Sequence, residues 1–116
     1  MDVIVEVGGW EHACCGPAIE RDRVVDLGCT RWSDPHGRSR LTETHHHVDP
    51  EVRVQGRVTE IQVRDGATVL PILRVPSGRA LRGLDEDDDG HLEDPWTGAV
   101  VTPASGDFLV TVRTPG

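Results

Sequence analysis

The chain contains no lysine, no asparagine and no tyrosine. Its aromatic residues are Trp10, Trp32, Trp96 and Phe108, so a core has to be built mainly from Val, Leu and Ile. With lysine missing, all twelve cations are arginines. That bias fits a coding sequence poor in A-rich codons better than a demand for guanidinium groups, because exposed Arg and Lys differ little unless their contacts are bidentate. No cluster of cations is present, which excludes a phosphate-dominated nucleic-acid surface. No apolar run approaches the roughly 20 residues of a membrane helix. The start, Met1-Asp2, runs directly into an alternating strand pattern and has no signal-peptide character. Cysteine is scarce: three residues, two of them adjacent, which is not the framework of a secreted disulfide scaffold. These absences predict a cytoplasmic protein that engages neither nucleic acid nor membrane.

What is present is one domain's worth of chain, 116 residues with a formal charge of -8. The acidity is local. Asp85, Glu86, Asp87, Asp88, Asp89, Glu93 and Asp94 account for seven acids, and without them the remainder carries only -1. A domain of this size can form a core without staples. We therefore treat residues 1–116 as a single β domain.

Alternation with a period of two dominates the apolar pattern. Val3, Val5 and Val7 share one face of a first strand, and Val25, Leu27 and Cys29 share one face of a second over 23–32. Cys29 therefore reads as core. Residues 33–50 are polar, contain two Asp-Pro pairs and a histidine run, and read as a long loop or a ragged edge. Residues 52–64 and 67–75 flank Asp65-Gly66, the signature of a two-residue hairpin. Within the first of these strands the phase slips, with Val54 and Val58 on one face and Ile61 and Val63 on the other, which predicts a β-bulge. Residues 77–84 suit one or two helical turns capped by Ser77. A closing hairpin is expected from 99–102 and 107–113. The predicted fold is all-β: a small, partly open barrel or sandwich of about six strands, OB-like or SH3-like, with at most one short helix.

Three places carry side chains suited to chemistry. The glycine-flanked bend at 8–17 holds His12, Cys14 and Cys15. If the histidine run is extended, His45 and His47 point to one side, so these five residues form a candidate zinc site. The competing reading is a pair of small buried thiols and a solvated histidine loop. Cys14 or Cys15 with a histidine base would also suit nucleophilic catalysis. The second place is the acidic stretch. Asp85, Asp87 and Asp89 followed by Gly90 match the first half of a calcium loop, but Trp96 stands where the bidentate Glu belongs and Pro95 blocks an exit helix. That stretch reads as solvated acidic surface, and calcium is not expected. The third is Trp10 and Trp32, read first as bulk that caps the core and alternatively as a platform for a ligand.

The segment Gly9-Trp10-Glu11-His12-Ala13-Cys14-Cys15-Gly16, the β-run ending at Trp32 and Val54-Gln55-Gly56-Arg57-Val58 together resemble a family of short actinobacterial proteins defined as a domain of unknown function. The similarity covers the first half of the chain, and Trp-x-x-x-Cys-Cys-Gly is its specific part. Arg21-Asp22-Arg23 stands where that family often carries Gly-Asp. The resemblance implies a bacterial, cytoplasmic protein and brings no activity with it. The function expected is a small non-catalytic module that binds a protein or small-molecule partner. A zinc-binding domain is the second reading and a small Cys-dependent enzyme the third.

Overall fold

The computed structural model describes residues 1–44, 49–103 and 106–115, with Trp10, Glu11 and Cys15 described by their backbone alone. Five strands close a ring: β1 (Asp2–Val7), β3 (Val24–Ser33), β4 (Ser39–Glu43), β5 (Val52–Asp65) and β10 (Phe108–Arg113). Around the ring the order is β1-β10-β5-β3-β4 and back to β1. Every contact is antiparallel except the one between β1 and β4. The short β2 (Ile19–Glu20) pairs with β7 (Arg74–Val75), and β8 (Leu92–Glu93) with β9 (Val100–Val101), while β6 (Thr68–Pro71) extends the sheet beyond β5. Started from β5, the connectivity β5-β10-β1-helix-β3-β4 is that of an OB barrel whose chain ends fall between its second and third strands. Those ends are adjacent. The Met1 amine donates to Thr114 O at 3.0 Å, and Thr114 N donates back to Met1 O at 2.9 Å.

The period-two pattern places the core. Val5, Val7, Leu27, Cys29, Val54, Val58, Ile61, Val63, Phe108, Val110 and Val112 are buried inside the ring. The phase slip in β5 is resolved as predicted: Val112 pairs with Val58 but Thr111 pairs with Glu60, so Thr59 is the extra residue of a bulge. It lets one long strand line the barrel from both halves. The Asp65-Gly66 hairpin also forms, with Gly66 at φ +62° and Asp65 paired to Thr68.

Several expectations are corrected. The bend at 8–17 is a helix, α1 (Gly9–Cys15), and together with α2 (Gly78–Leu81) it makes two short helices rather than at most one. Ser77 caps α2 as expected, its Oγ accepting from Ala80 N at 3.2 Å. The 33–50 segment is not all loop, because it contains β4. The 67–75 run is interrupted between β6 and β7. The closing hairpin does not form: β9 pairs with β8, and β10 pairs with β1 and β5.

Candidate functional site

Of the candidate zinc residues, the side chains of His12 and Cys14 are among those described. His12 is fully buried in α1. Its Nε2–H donates to the Pro76 carbonyl at 2.7 Å, and its ring meets Phe108 edge-on with centroids 6.2 Å apart. Gly16 is where the helix ends, and a Cβ there would lie 2.2 Å from His12 Nδ1, so the glycine makes room for the ring. Cys14 is exposed. His45 and His47 lie outside the described residues, as does the side chain of Cys15. Among the described residues no group of three or more His, Cys, Asp or Glu side chains is placed to hold a metal ion.

Cys29 is core, as read from its phase. Burial, together with the charge of Glu43 opposite it in the β3–β4 ladder, pushes its thiol up to about 11. In the acidic stretch, Asp85 Oδ1 accepts from Asp87 N and Asp89 Oδ1 from His91 N, each at 3.0 Å. These are local Asx turns in which side chains organise their own backbone. Trp32 does not cap the core. It lies on the outer face of β3, 41% exposed, with its indole N–H donating to Thr42 Oγ1 at 2.7 Å. The side chain of Trp10 is outside the described set.

The feature that the sequence reading missed is a split in the barrel wall. The β1–β4 ladder consists of Val5↔Leu41 and Glu6↔Thr42, although β1 pairs with β10 along its whole length. The Met1–Thr114 hydrogen-bonded pair sets the alternation, so Val3, Val5 and Val7 bond toward β10, while Asp2, Ile4 and Glu6 turn their main-chain groups toward β4. With the ladder ending at Val5↔Leu41, Ile4 N–H and Asp2 C=O face the split without a ladder partner on β4. The Ile4 side chain beside them is 56% exposed.

The split forms a cleft of about 550 Å³ between β1 and the β3–β4 turn, and Met1, Val3, Arg31 and Leu41 connect it to a cavity of about 390 Å³ at the open end of the barrel. Val52 and Val54 line that second cavity. Both volumes fall in the ~300–1,000 Å³ range of ligand pockets. Arg31 follows Leu27 and Cys29 in the inward phase of β3, which places its guanidinium stem over the apolar mouth.

Arg38 is held at the rim by a built turn. The Asp34 carboxylate, whose side chain is only 6% exposed, accepts from His36 N and Arg38 N at 2.9 Å and from Arg40 Nε at 3.1 Å. The Arg38 amide, with the Arg40 guanidinium and the His36 amide, holds the Asp34 carboxyl below the usual carboxylate range.

The charges around the cleft are unevenly matched. Asp2 pairs with Arg113, Glu6 with Arg64, and Arg40 with Asp34. Arg31 and Arg38 have no ion pair among the described residues. A cleft with an apolar floor and two unmatched guanidinium groups can hold an anionic group by charge-assisted hydrogen bonds while burying the apolar part attached to it.

No helix among the described residues is long and apolar enough to cross a membrane. No protein-family model matches the chain, and no curated protein or solved structure matches it either.

Proposed function

We propose that this chain is a non-catalytic binding module, and that its ligand site is the split between β1 and β4 with the barrel mouth below it. The ligand is anionic and carries an apolar portion. The observation that carries this reading is the position of Arg31, in the inward phase of its strand at an open mouth lined by Val3, Leu41, Val52 and Val54, with no ion-pair partner among the described residues. A guanidinium over apolar surface gains most when its counter-ion arrives with the ligand, because the partner also displaces water from the mouth. The fold itself supports no particular function.

The test uses octyl phosphate and octanol as probes, titrated into isotope-labelled protein and followed by amide chemical shifts. Octyl phosphate is expected to move the amides of Val3, Arg31, Leu41 and Val54, with octanol much weaker. Replacing Arg31 and Arg38 together by Ala should weaken octyl phosphate about tenfold or more, the loss of charge-assisted contacts. Equal affinity for the two probes, or shifts confined to another surface, would overturn the proposal.

A further inference from the structure

We infer that the occupant of the split is an extended acidic peptide segment of a partner protein, added to β1 as a strand; this rests on the binding reading above and gives it a partner class. The first support is main-chain geometry. Ile4 N–H and Asp2 C=O point out of β1 at strand spacing toward β4 and have no ladder partner there, because the ladder with β4 stops at Val5↔Leu41. Successive donors and acceptors on that repeat are matched by another extended backbone, the mode of peptide recognition by strand addition. A small amphipathic anion would satisfy Arg31 but leave those groups to water.

The second support is charge complementarity. Asp2, Glu6 and Arg40 already have partners of opposite sign within the domain. The side-chain charges left over at the cleft are those of Arg31 and Arg38, both positive, and the Met1 ammonium, held by a neutral carbonyl, adds to them on a chain whose overall charge is -8. A long polyanion would be repelled by the rest of the surface, whereas a short acidic strand meets only the local field. Apolar residues alternating with the acids would rest on Ile4 at the outer face of β1, leaving the acids on the inward side with Arg31.

A capped octapeptide alternating Glu and Val is the probe, compared with its Lys/Val counterpart and with a version N-methylated at alternate residues. The acidic peptide should bind and shift the amides of Asp2, Ile4 and Ser39, and slow hydrogen exchange at Ile4. The Lys/Val peptide should bind at least about tenfold more weakly, as should the acidic peptide to a protein carrying Arg31→Ala and Arg38→Ala. N-methylation should also cost about tenfold, the loss of one or two main-chain hydrogen bonds. Undiminished binding of the N-methylated peptide would overturn strand addition. Binding of octyl phosphate without binding of the peptide would overturn this inference while leaving the anion site standing, and failure of both probes would remove the two together. Shifts at Asp2 and Ile4 that grow with protein concentration in the absence of peptide would identify a second copy of the chain as the occupant and overturn the inference. Amide spectra of the double variant matching wild type away from the cleft show that its fold is intact.

Discussion

The Arg74 guanidinium holds the Asp88 carboxylate through two parallel hydrogen bonds, Nη1 to Oδ2 at 2.6 Å and Nη2 to Oδ1 at 2.7 Å. The pair ties the acidic stretch to β7, and with about a quarter of each side chain exposed it is only partly screened by water. The Arg74 contact, helped by the Gly90 amide, lowers the Asp88 carboxyl to about 2. A carboxylate depressed in the folded state adds stability above its unfolded pKa and loses it as pH falls through the folded value. Asp88→Asn should therefore cost about 1–2 kcal/mol at pH 7, the worth of a partly exposed charge-assisted pair. In urea denaturation series the gap between variant and wild type should shrink between about pH 4 and pH 2. An unchanged gap at low pH would show that the carboxylate charge is not what matters.

His91 has the opposite sign. Its Nδ1 contacts Asp89, and its Nε2 lies 2.6 Å from Glu93 Oε1. Asp89, then Glu93, raises the imidazole above its ordinary pKa. This group adds stability below the unfolded histidine pKa, and the contribution disappears as pH rises through the folded value. Imidazole resonances followed by NMR should give His91 a midpoint above the ordinary histidine value, moving back down in Asp89→Asn. A midpoint unmoved by that substitution would count against the pairing.

The two described thiols should differ in reactivity. Cys14 is exposed, whereas Cys29 is buried and its thiol is pushed up to about 11. The thiolate is the reactive form, so at pH 8 iodoacetamide should label Cys14 in the native protein and reach Cys29 only after unfolding. Peptide mapping by mass spectrometry reads this directly. Rapid native labelling of Cys29 would mean that the barrel opens near β3 far more readily than its packing implies.

His12 acts as a structural wedge between α1, the Pro76 carbonyl and Phe108. His12→Ala removes a fully buried side chain and strands that carbonyl, which should cost about 2–4 kcal/mol. Gly16→Ala forces a Cβ against the same ring and should cost about 1–3 kcal/mol, as overpacking does. Thermal melts of the two variants check both. Melts equal to wild type would mean that α1 docks without this contact.

Sequence and structure agree where burial is one-sided. In β1, β5 and β10 the inward residues are almost all Val, Ile or Phe, so alternation marks strand, face and even the bulge at Thr59. They part at β4, where the inward positions are Leu41 and Glu43. A glutamate only 6% exposed breaks the apolar alternation, and the strand was hidden inside a polar segment. The α1 helix was hidden differently. Glycines at both ends mimic a bend, and its stability comes from docking His12 rather than from helix propensity. Leu92 and Val100 belong to strands too short to show any period.

Composition and alternation alone determined that the chain is all-β, that its core is built from small branched residues, that Cys29 lies inside and that the acidity is confined to one stretch. These are properties of single residues and near neighbours, set by burial and local charge. Which strands meet was decided by tertiary structure. The pairing of β10 with β1 and β5, and the early end of the β1–β4 ladder, depend on contacts between residues far apart in the chain. So does the cleft itself: Ile4, Arg31 and Arg38 share no local pattern, and only closure of the ring sets two unmatched arginines beside an open strand.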